Sequence, residues 1–524
     1  MPCWKGCWCS SMIRSRCKFL VVTCVVVLAL TFGLRFKTVV TLSRESRELH
    51  GFRPADRPDV RGPADGPDIR GPADGPHVRG PADGPEVRGP ADRPDVRGPA
   101  DRPDVGGREV NNNMAPQLIR SNNTVQTSVR VNPTGQRGSA GDDGNFQPIG
   151  SHQCWVYSAF YDTLNGIRFL RVMAIENNET NTPVFCQIWE NGSSRLIGGK
   201  KILLPDHHFK RYRSVNYECT LDNNQHPDHV SIVFDSSEVP TNQLVVNYPA
   251  PQLHVFTTCY SVLFNFKNPS QIIQNIEFHR FLGIQHFHLY NYSVSNETDK
   301  VLRHYIREGI LTVHQWSLPS LEIWYFAQVL AINDCVYRNR NVSKYVIIHD
   351  MDEFIVPIRH NTLSDVIAIA EENYKKESVT ITKTTGNIVQ PLGSLTFETS
   401  NFYGVLSSEV WDMVKKNFSV SAKDDYLIRR YQILPFLHVR RVNETYKYLG
   451  RSKTMVRPEL ILYAGIHYTR EHRHDATHTQ IGAELVLIHH FRYNGNTPVL
   501  DTSAMRFKDL VFPRILDKLS ALIG

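Results

Sequence analysis

The chain has 524 residues, 41% of them hydrophobic and 21% charged, with a net charge of +7. This length leaves room for two or three domains. The positive excess is small and spread out, with no long Lys/Arg block, which gives nucleic-acid binding little support.

Lys5, Arg14, Arg16 and Lys18 precede an uncharged run from Phe19 to Leu34, and Arg35 and Lys37 close it. As a helix this run spans about 24 Å. Phe36 and snorkelling basic side chains lengthen it, and early secretory membranes are thin. No small-x-small cleavage signal follows, which favours a retained signal-anchor over a cleaved signal peptide. The expected layout is a cytosolic tail (1–18), one transmembrane helix (19–36) and a lumenal remainder, a type II membrane protein. Cys3, Cys7, Cys9, Cys17 and Cys24 lie at or before this segment, where palmitoylation would suit them.

Residues 37–150 read as a disordered stalk. Within it, 52–105 repeats with a nine-residue period, Arg-Gly-Pro-Ala-Asp-Arg/Gly-Pro-Asp-Val, with Pro54, Pro63, Pro72, Pro81, Pro90 and Pro99 in register. Rich in proline and charge and nearly free of large apolar residues, it cannot bury enough surface to offset its ordering entropy. Glycine does not recur every third residue, so it is not collagen. A semi-extended spacer fits the composition.

Asn-x-Ser/Thr sequons stand at Asn122, Asn178, Asn191, Asn291, Asn296, Asn341, Asn417 and Asn443, all beyond the apolar segment. Their number agrees with a lumenal body. An oxidising lumen permits disulfides among Cys154, Cys186, Cys219, Cys259 and Cys335, and the odd count leaves at least one without an internal partner. Spacing does not fix the connectivity. The pairing we adopt is Cys186 with Cys219 and Cys259 with Cys335, leaving Cys154.

Residues 151–250 are strand-rich, with turn signals at Asn165-Gly166 and Asn191-Gly192, and read as a small antiparallel β region. From 251 to 510 strand and helix alternate. The expected order is a strand at 253–264, a helix at 271–282 ended by Gly283, and a strand at 285–290. A helix at 299–308, a strand at 310–313, a helix at 323–337 and a strand at 345–348 follow. Such alternation implies parallel pairing with right-handed crossovers. The fold class is α/β, with a mostly parallel, nucleotide-binding type of sheet and a smaller β-rich region before it. Gly-x-Gly-x-x-Gly and Gly-x-x-x-x-Gly-Lys-Ser/Thr are both absent, which argues against a dinucleotide dehydrogenase or a P-loop enzyme.

The last of these strands carries the chemistry. Val346-Ile347-Ile348 runs straight into His349-Asp350-Met351-Asp352-Glu353. Side chains at i and i+2 of an extended chain point the same way, so Asp350 and Asp352 can reach one cation beyond the strand's carboxyl end, where open α/β sheets bind ligands. Carboxylates in so apolar a setting need a partner. A divalent metal holding a diphosphate would provide one; an acidic turn or helix cap is the bland alternative.

A lumenal, stalked α/β protein with Asp-x-Asp after a strand resembles a Golgi glycosyltransferase of the GT-A type. The residues Glu277-Phe278-His279, Leu282 to Phe287, Tyr290, Asn333-Asp334-Cys335, His349 to Phe354, Arg451 to Pro458, Gly465-Ile466-His467 and His489 to Arg492 resemble, in that order, glycosyltransferase family 92. Its characterised members include β-1,4-galactosyltransferases acting on N-glycans. The chain departs from the family pattern at Cys259 to Val262, which reads Cys-Tyr-Ser-Val in place of Cys-Val-x-Pro.

The resemblance implies an inverting hexosyltransferase in the Golgi membrane that uses UDP-galactose as donor and Mn²⁺ (or Mg²⁺) as cofactor, acting on a glycan acceptor. It implies Asp352 and Asp350 as metal ligands, with Asp350 alternatively on ribose or acting through water, and a late histidine, His490 or His467, as a further ligand. Arg451, Lys453 and Arg457, with Glu277, are the expected contacts to the donor nucleotide. Asp424, Asp425 and Glu409 are candidates for the general base that an inverting reaction needs, alongside Glu398 and Asp412. Asp424 and Asp425 precede a helical run, so an N-cap is their competing role. His472, His474 and His478 read as a polar, mobile loop. Two other functions compete: a noncatalytic lumenal lectin or scaffold on the same fold, and a glycosidase, which would need two opposed carboxylates and no metal.

Overall fold

The computed structural model describes residues 145–524, apart from 206–207, 386–387, 405–406 and 493–497. The cytosolic tail, the membrane anchor and the repeat expected from the sequence lie outside the described residues. Among the described residues no helix is long and apolar enough to cross a membrane. The folded part begins earlier than the sequence boundary at 150. Gln147–Pro148 (β1) pairs with the next strand, and Phe146 packs against Tyr157 and Trp316.

The first domain holds β1, β2 (Cys154–Leu164), β3 (Ile167–Asn177), β4 (Val184–Glu190), β5 (Ser193–Leu203), β6 (Tyr212–Leu221), β7 (His229–Val233) and β8 (Leu244–Asn247), in the order β1-β2-β3-β6-β5-β4-β7-β8. Every neighbouring pair is antiparallel, and an added parallel contact between β2 and β8 closes the sheet on itself. Closure removes the exposed edges that an open sheet would offer for mispairing. Val156, Leu170, Val172, Val215, Tyr217 and Ile232 fill the interior, and a disulfide joins Cys186 to Cys219 across it.

The second domain alternates as expected. Its first half contains β9 (His254–Leu263), α1 (Pro269–Phe281), β10 (His286–Asn291), α2 (Asn296–Arg307), β11 (Leu311–Gln315), α3 (Gln328–Arg338), β12 (Ser343–His349) and β13 (Glu353–Pro357). Then follow α4 (Leu363–Thr385), β14 (Leu392–Phe397), β15 (Thr399–Tyr403), α5 (Ser408–Asn417), α6 (Ala422–Arg430), the short α7 (Leu434–Leu437) and β16 (Arg440–Arg441). The chain ends with β17 (Lys453–Val456), β18 (Ile461–Ala464), β19 (Thr469–His472), β20 (Thr477–Ile481), β21 (Val486–Arg492), β22 (Val499–Leu500) and α8 (Lys508–Leu522).

The main sheet runs β11-β10-β9-β12-β17-β14-β20. The β11, β10, β9 and β12 neighbours are parallel, while β17 is antiparallel to both β12 and β14. A second sheet, β13-β21-β15-β16-β22, starts where β12 ends. One face of the main sheet packs on α1, α2 and α8 through Ile272, Ile276, Phe287, Val301, Phe354 and Ile515. The other packs on α3 and on Tyr157, Phe160, Met173 and Ile175 of the first domain. A disulfide between Cys259 and Cys335 ties α3 to the central strand β9, and Cys154 is buried and free. This is the adopted pairing.

Two expectations fail locally. The helix expected from Ile323 begins only at Gln328, because Tyr325, Phe326 and Ala327 take left-handed φ values of 44°, 57° and 59°. The histidine-rich stretch is not a structureless loop. His472 lies on β19 and hydrogen-bonds Ser394 at 2.8 Å, and His478 lies on β20 and stacks on Tyr448 at 3.9 Å.

Candidate active site

The tight turn between β12 and β13 gathers three carboxylates. The Asp350 N–H donates to Glu353 Oε2 at 2.8 Å, and the Glu353 N–H returns to the Asp350 carbonyl at 3.1 Å. Helix α1 clamps the turn from below. Asn275 Nδ2 donates to the carbonyls of Met351 and Glu353, both at 2.9 Å, and Asn275 Oδ1 accepts from Tyr260 Oη at 2.7 Å. One helical turn on, His279 Nε2 accepts the Ile355 N–H at 3.1 Å, so its proton is on Nδ1, which donates to the Asn275 carbonyl at 2.9 Å. Burial, and then the neighbouring His349, hold His279 well below the ordinary histidine value, so it stays neutral.

The carboxylates lie in an uneven field. Lys453 Nζ, at the start of β17, stands 2.6 Å from Asp350 Oδ2 and 3.1 Å from Glu353 Oε2. Burial alone would raise Asp350, but the Lys453 charge and the Ser261 hydroxyl outweigh it and hold the group well below the usual range. Gln328 Nε2, from the first residue of α3, donates to Ser261 Oγ at 2.5 Å and orients it. Glu353 is 1% exposed, and burial pushes it up. Burial also opposes the ionised form of Asp352, and His490 brings it down.

His490 comes from β21, whose antiparallel pairing with β13 sets it directly across from Glu353. Its Nε2 lies 3.3 Å from Asp352 Oδ2 and its Nδ1 3.5 Å from Glu353 Oε1. Burial lowers the imidazole, but the two carboxylates more than offset it, and the net shift is upward. His467 donates from Nδ1 to the Ser452 carbonyl at 3.1 Å, leaving Nε2 with its lone pair; burial and the Lys453 charge lower it to about 4.

Among the described residues no three His, Cys, Asp or Glu side chains form a ready-made metal cage. The donor set is instead an open one. The Asp350 and Asp352 side chains are 31% and 35% exposed; Asp350 is held at both oxygens, by Lys453 and by Ser261, while Asp352 meets His490. Hard divalent cations at nucleotide sites are commonly held this way, by one or two carboxylates with phosphate and water completing the shell. Asp350 and Asp352 are carboxylates of the kind such an ion takes, with His490 beside Asp352.

The other expected residues are placed differently. Arg457 follows the far end of β17. Val456 pairs with Val346, so Arg457 lies at the amino end of β12, about 14 Å along the strand from Lys453. There it contacts Glu371 and Tyr345. Arg451 precedes β17 and sits over the Tyr446 ring at 5.6 Å. Glu277 accepts from Tyr305 and Arg280, at 3.0 and 3.1 Å, between α1 and α2. Asp424 completes a capping box with Ser421 at the start of α6, and Asp425 holds Trp411 and Arg429. Glu409 is exposed in the first turn of α5. Glu398 accepts from Thr445 and Gln480, and Asp412 pairs with Lys415. Of the expected set, the structure brings together Asp350, Asp352, Lys453 and His490, with His467 alongside. Asn275, Ser261 and Gln328 belong to the site and were not singled out by the sequence.

A family model described as glycosyltransferase family 92 matches residues 254–518, half of the chain and nearly all of the second domain. The chain belongs to glycosyltransferase family 92. This family-92 chain is 25% identical over 239 residues to "Beta-1,4-galactosyltransferase galt-1" of Caenorhabditis elegans, a match covering 41% of this chain and 54% of that protein. It is 32% identical over 118 residues to "Galactan beta-1,4-galactosyltransferase GALS2" of Arabidopsis thaliana, covering 22% of this chain and 23% of that protein. The chain thus spans about half, or less, of the length of the curated relatives it matches. Family membership makes the chain a glycosyltransferase by type.

Proposed function

We propose that this chain is a metal-dependent, inverting galactosyltransferase of GT-A type that transfers galactose from UDP-galactose to a glycan acceptor such as an N-glycan. In this reading it is a type II Golgi membrane protein with its two folded domains in the lumen. One observation carries the catalytic part: Asp350 and Asp352, half-open at the carboxyl edge of β12 beside His490, in a family-92 domain. The printed names of the relatives support galactose as the sugar and β-1,4 as the linkage.

Bound Mn²⁺ (or Mg²⁺) would neutralise the diphosphate as it departs, held by Asp352, Asp350 and His490. The chain's own residues prepare that place. Asn275 and His279 fix the backbone of the turn that carries both carboxylates. Lys453 keeps Asp350 ionised. Ser261 and Gln328 hold the other Asp350 oxygen at a set angle, so little reorganisation is needed when the donor arrives. His467, neutral at physiological pH, offers a lone pair beside the same cluster. Asp424 and Asp425 are engaged in helix capping and packing, which weakens them as bases.

A panel of nucleotide sugars with Mn²⁺, read by release of the nucleoside diphosphate and followed by an N-glycan acceptor array, tests the proposal. UDP-galactose should give the highest turnover, and galactose should appear on a glycan. Turnover of no UDP-sugar would contradict it.

A further inference from the structure

The second sheet has two unlike faces. Side chains alternate along a strand, and residues paired across strands share a face. On one face Phe354, Phe402, His489 and Phe491 pack on one another, with ring centroids 5.4 Å apart for Phe354 and Phe491 and 3.8 Å apart for Phe402 and His489. The opposite face carries Glu353, His490 and Asn401 in a row, because His490 pairs with Glu353 of β13 on one side and with Asn401 of β15 on the other. The 3.5 Å approach of His490 Nδ1 to Glu353 Oε1 is the contact that this register demands. Lys453 stands against Glu353 at 3.1 Å, so Asn401 lies on the far side of His490 from Glu353 and Lys453.

Asn401 is 6% exposed, and its amide is only half used. Nδ2 donates to Tyr446 Oη at 3.4 Å, while Oδ1 has no hydrogen-bond partner among the described residues. Two positions earlier on the same face, the fully buried Thr399 Oγ1 also lacks one. Tyr446 is held to this strand by a two-way backbone bridge with Thr399, at 2.7 and 3.2 Å. Buried polar groups are nearly always bonded, and leaving one unmade costs stability. An apolar side chain would serve the fold better here. The amide plane turns easily about χ2, so a group entering beside His490 can engage it. An acceptor without a donor selects that group's chemistry. Hydroxyls donate, and the oxygens of an ionised diphosphate do not. An uncharged amide with a tyrosine beside it and a threonine hydroxyl on the same face suits a neutral polyol.

We propose that Asn401 is a sugar-contacting residue of the active site, whose amide oxygen accepts a hydrogen bond from a pyranose hydroxyl lying beyond His490, with Tyr446 as the adjoining wall. The pyranose is the hexose of the donor or the terminal sugar of the acceptor, which share this hydroxyl chemistry. The inference rests on the UDP-sugar reading above and adds to it a residue outside the carboxylate, lysine and histidine cluster.

Calorimetric titration of full-length Asn401→Ala with UDP plus Mn²⁺, together with steady-state kinetics, tests this. UDP affinity should stay at the wild-type value. The KM for UDP-galactose, or the KM for the best glycan of the N-glycan array, should rise about tenfold, the scale of one lost hydrogen bond. A rise in the first assigns the hydroxyl to the donor hexose, and a rise in the second assigns it to the acceptor. The Tm without ligand should not fall, because the oxygen removed has no partner in the fold; a purely structural asparagine would lower the Tm and leave both KM values alone. Tyr446→Phe keeps the ring and loosens the amide, and should raise the same KM about threefold, which reads the site even if Asn401→Ala fails to fold. Wild-type KM values for both substrates would overturn the assignment. So would weakened binding of UDP itself, which would place the amide on the cation or the diphosphate. If the wild-type protein releases UDP from no UDP-sugar, the donor reading itself fails and the assignment falls with it.

Discussion

Two clusters of buried charge in this protein differ in sign and in openness. At the end of β12, Asp350, Asp352 and Glu353 face Lys453 and His490, and the two aspartates remain about one-third exposed. Between the domains, Asp162 of β2 is approached by Arg340 at 2.7 Å, Arg473 at 2.8 Å and Arg171 at 3.6 Å, and Arg171 also meets Glu218 at 2.8 Å. This second cluster is sealed. Arg171 is 0% exposed, and its guanidinium lies over the rings of Phe169, Tyr337 and Tyr463. Both networks take charges out of water, which is costly unless they are paired. The interdomain cluster places its surplus charge against aromatic faces, where it holds two domains together. The strand-end cluster leaves its two aspartates part-exposed, where a ligand could complete them. Openness of the surplus, more than the density of charge, separates a site from a structural clamp.

Mutations can break this contrast in order of size. Asp162→Ala removes the shared acceptor of three buried guanidiniums and should cost about 4 kcal/mol of stability, measured by denaturant unfolding, with no recovery on adding Mn²⁺. Lys453→Met leaves Asp350 and Glu353 without their ammonium and should cost about 3 kcal/mol; here Mn²⁺ should restore part of the loss, because the cluster is open to a cation. Equal responses of the two variants to Mn²⁺ would erase the distinction. Asn275→Ala strands the carbonyls of Met351 and Glu353 and the Tyr260 hydroxyl. It should cost about 2 kcal/mol and lower kcat for UDP release more than it raises the donor KM. Arg457→Ala, at the other end of the same strand pair, should change stability by less than about 1 kcal/mol and UDP release by less than about threefold. A large loss there would bring Arg457 back to the donor.

The candidate Asp-x-Asp cluster could be picked out because its members are neighbours in sequence, behind an apolar β-branched run that marks where β12 ends. The alternation of strands and helices from β9 to β12 was legible for the same reason, being written in local periodicity. What periodicity cannot report is which end of a strand a residue occupies. Lys453 and Arg457 share a face by spacing, yet the antiparallel register of β17 on β12 sends one to the carboxylates and the other to Glu371. His490 reaches Asp352 only through the β13–β21 pairing, a contact made across 138 positions. Asp424 and Asp425 carried both readings, base and cap; the capping box at Ser421 engages Asp424, and Trp411 and Arg429 engage Asp425. The turn at 325–327 carries no glycine to announce it. Its left-handed backbone is imposed by packing from Phe264, Trp316 and His208, none of them local.

The central claim is that the opening between Asp350 and Asp352 binds the cation that makes a UDP-sugar reactive. It is tested most directly by UDP release from UDP-galactose by the full-length protein with Mn²⁺, with EDTA, and with Asp352→Asn. The account predicts turnover that requires Mn²⁺ and falls at least about 100-fold in Asp352→Asn, at unchanged Tm. Full turnover in EDTA, or wild-type rates from Asp352→Asn, would contradict it.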